Sequence, residues 1–77
     1  MASVQERIHR IIRQQLGVLN FSTESKLVAD LGADSLDLIE LLMEIEDEFG
    51  IELADEEFTE LLSVGNVVEF VEKKIHG

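Results

Sequence analysis

The chain has 77 residues, which suits one small domain, and 45% of them are apolar, enough for a globular core. Seventeen acidic and six basic residues give a formal net charge of −11, which excludes a nucleic-acid-binding surface. There is no cysteine, so the protein has neither a disulfide nor a thiol of its own. We find no signal peptide and no apolar run near the roughly 20 residues of a membrane span. These features predict a single cytoplasmic domain over residues 1–77, without membrane insertion.

The acidic residues are concentrated in one part of the sequence. Fifteen of the seventeen lie between Leu27 and Glu72, a segment with no lysine or arginine. The basic residues lie at the two ends and in the first loop: Arg7, Arg10, Arg13, Lys26, Lys73 and Lys74. Acidic charge that serves solubility alone accounts for the total but not for this distribution. The central segment is therefore predicted to attract proteins that carry basic patches.

The first helix is predicted over residues 3–16, where apolar side chains recur at helical spacing. The residues on its apolar face are Val4, Ile8, Ile11 and Ile12. Ser3 followed by Glu6 is typical of a capping box at a helix start, and Gly17 suits the end of the helix.

A long connection follows over residues 18–33. Its apolar residues are spread along its length and predict that it packs against the core: Leu19, Phe21, Leu27, Val28 and Leu31. Connections of this length are often functional or contain a short helical turn.

The second helix is predicted over residues 35–49, with Asp34 as its N-cap and Gly50 at its end. Its core face is a stripe about 100° wide. The residues of that stripe are Leu38, Leu41, Leu42, Ile45 and Phe49.

Three apolar residues of this helix fall outside the stripe: Leu36, Ile39 and Met43. Their neighbours on the helix surface are acidic: Glu40, Glu44 and Asp47. An exposed apolar patch rimmed by charge is typical of a protein-binding site. The alternative interpretation is that a second layer of the same domain covers these three residues.

The remainder of the chain is also predicted to be helical. Residues 51–53 form an extended linker, because a lone strand would have no partner. A short third helix is predicted over residues 55–62, and Ser63 caps a fourth helix. Its buried stripe is predicted to contain Val64, Val67, Val68, Val71 and Ile75. The fold class is therefore all-α, a small four-helix bundle with three long helices and one short helix.

Ser35 lies at the first position of the second helix, directly after the N-cap. A phosphate on its hydroxyl would face unpaired backbone N–H groups and the positive end of the helix dipole. The carboxylates of Asp34 and Asp37 partly oppose that attraction.

No catalytic or metal-binding pattern accompanies this serine. Ser35 lacks the Gly-x-Ser-x-Gly context of a hydrolase nucleophile. His9 and His76, at opposite ends of the sequence, are interpreted as surface histidines. A calcium loop counted from Asp30 would have Ser35 at its glycine position and Leu41 at its glutamate position, which excludes it. We therefore predict neither an enzyme nor a specific metal site.

The sequence LGADSLD at residues 31–37 resembles the attachment motif of acyl carrier proteins. The acidic EDEFG at residues 46–50 and the SVGNVV at residues 63–68 match the same family in order, so the resemblance covers nearly the whole chain. It implies that Ser35 bears 4′-phosphopantetheine through a phosphodiester. A separate phosphopantetheinyl transferase, the holo-carrier synthase, would add this group from coenzyme A.

The resemblance also implies what the chain does and what it binds. It would be a monomer that holds acyl intermediates as thioesters for enzymes of fatty acid synthesis or of a specialised lipid or polyketide pathway. Those enzymes would bring basic docking patches to the second helix. The residues implied in partner binding are Asp34, Leu36, Asp37, Ile39, Glu40, Met43, Glu44 and Asp47. The alternative function is an unmodified acidic helical adaptor that binds basic proteins.

Overall fold

The computed structural model describes residues 2–53 and 63–76. Within these ranges the chain forms three helices, α1 (Val4–Leu16), α2 (Ser35–Phe49) and α3 (Val64–His76). Their positions confirm the three long helices predicted from the sequence. The short third helix predicted over residues 55–62 lies outside the described residues, so the total of four helices stays a prediction. None of the three described helices is long and apolar enough to cross a membrane.

Both ends of α1 are capped by the residues that the sequence predicts, Ser3 and Gly17. The Ser3 hydroxyl accepts a hydrogen bond from the backbone N–H of Glu6 at 3.1 Å. The Glu6 carboxylate in turn accepts from the Ser3 hydroxyl at 3.3 Å. At the other end, Gly17 has a φ of 69° and donates its N–H to the carbonyl of Arg13 at 2.9 Å. This left-handed conformation favours glycine and ends the helix.

Side chains at both ends of α1 contact α2, so the relative direction of the two helices can be read from them. Near the start of α1, Arg7 Nε donates to the Glu48 carboxylate at 2.8 Å, and Arg10 donates to the same carboxylate at 3.2 Å. Near the end of α1, the Gln15 amide donates to the Glu40 carboxylate. Because the start of α1 lies beside the end of α2, and the reverse, the two helices are antiparallel neighbours.

The core is assembled from all three helices, from the connection between α1 and α2, and from Leu53 in the segment after α2. Its buried residues are Ile8, Ile11, Ile12, Leu27, Ala33, Leu41, Leu42, Ile45, Leu53, Val64, Val67, Val68 and Val71. Leu38 and Phe49 pack against this cluster while half-buried, so the predicted core stripe of α2 is confirmed. Burial of apolar area in this cluster is the main favourable contribution to folding.

Three residues predicted to be buried are instead exposed: Leu19 at 79%, Val28 at 59% and Ile75 at 40%. Near Val28 the chain forms a tight turn, in which the N–H groups of Asp30 and Leu31 both donate to the carbonyl of Lys26. That turn buries Leu27 and leaves Val28 on the outside. Ile75 lies one turn beyond Val71, the last buried residue of α3, where α3 extends past the core.

Backbone hydrogen bonds attach the connection to the start of α3. Val64 N–H donates to the carbonyl of Ser25 at 3.0 Å, and Gly65 N–H donates to the carbonyl of Thr23 at 2.8 Å. A Cβ atom at position 65 would lie 3.0 Å from that Thr23 oxygen, so the close approach depends on glycine. The first N–H groups of a helix have no partner within it, and the connection supplies acceptors for two of them.

The structure corrects the surface placement predicted for His9. Its ring is half-buried against Phe21, with ring centroids 5.0 Å apart. Its Nε2 atom is buried and has no hydrogen-bond partner in the described part of the chain. Burial of the ring lowers the pKa of His9 from its ordinary value of 6.5, and the positive charge of Arg13 lowers it further.

The position of His9 predicts that acid weakens the fold. Because its folded-state pKa lies below 6.5, the unfolded chain takes up this proton at a higher pH than the folded chain does. The contribution of neutral His9 to stability is therefore complete above 6.5 and is lost as the pH falls through that value toward the folded-state pKa. We expect the free energy of unfolding, measured in urea, to fall more between about pH 7.5 and about pH 5.5 in the parent than in His9→Gln.

The other histidine provides the matched control for this measurement. His76 is exposed in the last turn of α3, and His76→Gln should retain the acid-dependent loss attributed to His9. Equal pH dependence in the parent and in His9→Gln would show that His9 does not contribute to the loss.

Candidate functional site

The start of α2 is held by two aspartates that bond to each other's backbone. The Asp34 carboxylate accepts from the N–H of Asp37 at 2.8 Å, and the Asp37 carboxylate accepts from the N–H of Asp34 at 3.1 Å. The first bond confirms Asp34 as the N-cap. The second bond was not predicted from the sequence. The spacing of Asp34 and Asp37 is nevertheless that of a capping box, with aspartate in both positions. Together they satisfy two of the four N–H groups that a helix start leaves unpaired.

Ser35 is the first residue of α2, and its side chain is exposed. Within the described residues its hydroxyl makes no hydrogen bond. The other four serines accept a bond from a backbone N–H, as seen for Ser3, Ser22, Ser25 and Ser63. Ser35 is therefore the serine whose hydroxyl can be modified without loss of a bond in the described structure.

The backbone around Ser35 is suited to a phosphate. The N–H groups of Ser35 and Leu36 have no acceptor among the described residues, since the aspartate pair occupies the other two at this helix start. An anion attached to Ser35 would lie next to these two groups and to the positive end of the α2 dipole. The residues present therefore fit a phosphodiester on this side chain.

The acidic residues predicted to bind partners differ in how they are already bonded. Asp34 and Asp37 bond to the backbone of the helix start, and Glu40 accepts a hydrogen bond from Gln15. Glu44 and Asp47 are exposed and have no bonding partner in the ranges that the structure describes. No group of three or more acidic or histidine side chains in those ranges could hold a metal ion.

The apolar residues beside these acids are exposed, as the sequence predicts. Leu36 is 62% exposed, Ile39 52% and Met43 59%. The spacing of three and then four residues places them along one side of α2. The alternative, that a second layer of the domain covers them, is therefore wrong. The face combines apolar contact area with the negative charge of Glu44 and Asp47.

The contact between Gln15 and Glu40 was not predicted. It joins residues 25 positions apart, and Gln15 carries no pattern that would indicate a partner on another helix. Only the packing of α1 against α2 brings the two side chains together.

An exposed serine without a hydrogen bond in the described structure, at the start of an acidic helix in a small helical domain, suits a carrier module that presents an attached group. The family described as phosphopantetheine attachment site matches residues 6–71. An acyl carrier protein of Solidesulfovibrio magneticus is 47% identical over 74 residues, covering 94% of this chain and 95% of its own. One from Buchnera aphidicola is 44% identical over 77 residues, covering 97% and 99%.

The chain is also similar in fold to solved structures of acyl carrier proteins. A Mycobacterium tuberculosis protein described as an acyl carrier protein candidate has a TM-score of 0.87 at 33% identity, covering 92% of this chain and 97% of its own. An acyl carrier protein from Thermotoga maritima has a TM-score of 0.78 at 30% identity, covering 91% and 84%. The chain belongs to the acyl carrier protein family.

Membership of this family establishes the kind of work the protein does. It carries acyl groups on a covalent phosphopantetheine group, and it is not itself a catalyst. Members of the family interact with a phosphopantetheinyl transferase and with acyl-processing enzymes.

Proposed function

We propose that Ser35 is the residue that bears 4′-phosphopantetheine. The observation that supports this most directly is that its hydroxyl is exposed and makes no hydrogen bond in the described structure, whereas the other four serines each accept one. The protein acts as a cytoplasmic, monomeric carrier over residues 1–77. It serves enzymes of fatty acid synthesis or of a specialised lipid or polyketide pathway.

The residues at the start of α2 have distinct parts in holding the group. The N–H groups of Ser35 and Leu36 stabilise the negative charge of the phosphodiester. Asp34 and Asp37 each bond to a backbone N–H, which keeps their carboxylates in the capping box. When bound, the group supplies the thiol that the chain itself lacks, on which acyl groups are held as thioesters. The protein raises the effective concentration of the acyl group at the partner enzyme.

We further propose a docking face on α2, made of Leu36, Ile39 and Met43 with Glu44 and Asp47. The charge of the two acids suits a partner whose apolar patch is rimmed by lysine and arginine, such as the transferase. Glu40 adjoins this face, but a basic partner must compete with Gln15 for its carboxylate. Asp34 and Asp37 adjoin it at the end nearest Ser35.

The attachment proposal is tested with the purified apo-protein, coenzyme A and a phosphopantetheinyl transferase. We expect the intact mass to rise by one phosphopantetheinyl group, and fragmentation to locate that group on Ser35. No gain with several transferases, or a group located on another serine, would overturn the proposal.

The electrostatic part of the docking face is tested with Glu44→Lys. Because exposed charges act mainly by steering the encounter, we expect association with the transferase to slow by roughly threefold to tenfold at low ionic strength. Its dependence on salt concentration should also weaken, while dissociation changes less. Stopped-flow measurements over a salt series give both rate constants.

The control is Glu69→Lys, which makes the same change of charge at an exposed position on α3. If steering depends on the docking face and not on net charge, Glu69→Lys should keep association close to the parent rate. An equal slowing in both variants would contradict the placement of the face on α2.

A further inference from the structure

The chain contains very few side chains that a mild oxidant attacks. It has no cysteine, tryptophan or tyrosine, and its two sulfur atoms belong to Met1 and Met43. Met43 lies on α2 with 59% of its surface exposed, on the same side of the helix as Leu36 and Ile39. It belongs neither to the buried core nor to the half-buried residues packed against it. Its side chain is thus largely exposed and forms no part of the core.

We propose that Met43 is a site of reversible oxidation, and that its sulfoxide weakens binding at the docking face. This inference rests on the docking face proposed above. In the forward step hydrogen peroxide transfers one oxygen to the thioether, its O–O bond breaks, and water leaves. The sulfur loses two electrons and the peroxide gains them. In the reverse step a methionine sulfoxide reductase returns the thioether, while two thiols form a disulfide and water is released.

The charge around Met43 affects which oxidant reaches it. Glu44 is the next residue along the helix, and Asp47 lies one turn further on, so the surface is negative. Hydrogen peroxide is neutral and is not repelled by that surface. An anionic oxidant would be repelled, and its reaction should be slower at low salt than at high salt.

The expected effect follows from the position of Met43 within the docking face. Oxidation converts a flexible apolar side chain into a polar one. An apolar partner patch would then have to bury the sulfoxide oxygen without a hydrogen bond, which weakens the complex. Because only three apolar side chains form this face, the change should affect the dissociation rate more than the association rate.

The test uses the apo-protein, which contains no thiol, and the phosphopantetheinyl transferase as partner. The apo-protein is treated with peroxide, and catalase removes the excess before mixing. Fragmentation should locate one added oxygen on Met43. Dissociation from the transferase should be about tenfold faster than for the untreated protein. The urea midpoint should stay unchanged, and reductase with a thiol should restore the original rate.

Two variants decide how each result is interpreted. Met43→Leu keeps the apolar contact and cannot be oxidised at this position, so peroxide should leave its dissociation rate unchanged. Met43→Ala removes most of the apolar contact area of this side chain, so this variant should dissociate faster from the transferase without peroxide. If Met43→Ala dissociates faster but the sulfoxide does not, the oxidation proposal is wrong and the docking face stands. If neither changes the rate, the docking face itself is wrong. Oxidation confined to Met1 would also overturn the proposal.

Discussion

Ser35→Ala should abolish attachment of phosphopantetheine while leaving the fold intact. The substitution removes the hydroxyl that would form the phosphodiester, so no residual modification is expected at any enzyme concentration. The hydroxyl makes no hydrogen bond within the described residues, and alanine is a good helix former. The substitution should therefore change the stability of the fold very little. We expect the free energy of unfolding to stay within about 0.5 kcal/mol of the parent. Intact mass and urea unfolding measure the two effects.

Ser63→Ala is the matched control, because Ser63 also lies at the start of a described helix. Its hydroxyl accepts from the N–H of Asn66 at 3.2 Å, as expected of an N-cap. This variant should be modified like the parent and should lose about 1 kcal/mol of stability through the lost cap. Persistent modification of Ser35→Ala, or its loss in Ser63→Ala, would contradict the assignment to Ser35.

The alternative considered from the sequence was an unmodified acidic adaptor. An adaptor would bind basic proteins through α2 and would need no modification of Ser35. The family match over residues 6–71 and the acyl carrier proteins similar to this chain show the carrier function instead.

Ile45→Ala should remove a large part of the stability of the domain. Ile45 is fully buried in the core cluster, where α2 packs against its neighbours. Truncation of such a side chain costs about 2–5 kcal/mol, through lost transfer free energy and the cavity that remains. Small domains have total stabilities from about 5 kcal/mol upward, so the variant should be much less stable than the parent and unfold at a lower urea concentration. Urea unfolding followed by circular dichroism measures the loss.

Ile39→Ala makes the same chemical change six residues earlier on the same helix. Ile39 lies on the exposed side of α2, so its removal leaves no cavity and should cost less than about 1 kcal/mol. It should instead speed dissociation from the transferase, as a member of the docking face. Similar stability losses in the two variants would show that the exposed side of α2 is needed for folding.

Much of the local structure can be predicted from the sequence, because its causes are local. Apolar periodicity predicts α1, α2 and α3 and the core stripe of α2, since residues three and four apart share a helix face. Asp34 and Gly50 mark the ends of α2 because capping depends on residues within one turn. The same periodicity places Leu36, Ile39 and Met43 outside that stripe, whereas only the structure shows that no second layer covers them. The attachment motif at residues 31–37 indicates Ser35 for the same reason, since its residues are contiguous.

What the sequence could not determine depends on contacts between distant residues. Gln15 meets Glu40, and Arg7 meets Glu48, only because α1 and α2 pack side by side in antiparallel directions. His9 is half-buried because Phe21 of the connection packs on its ring.

The connection between α1 and α2 shows most clearly that burial cannot be predicted from local sequence alone. Leu27 and Val28 are adjacent and similarly apolar, yet one is buried and the other exposed. This difference in burial depends on the turn whose N–H groups donate to the carbonyl of Lys26. It also depends on the hydrogen bonds that join residues 23 and 25 to the start of α3. Such contacts depend on the direction in which each segment crosses the core, and no short-range pattern encodes that direction.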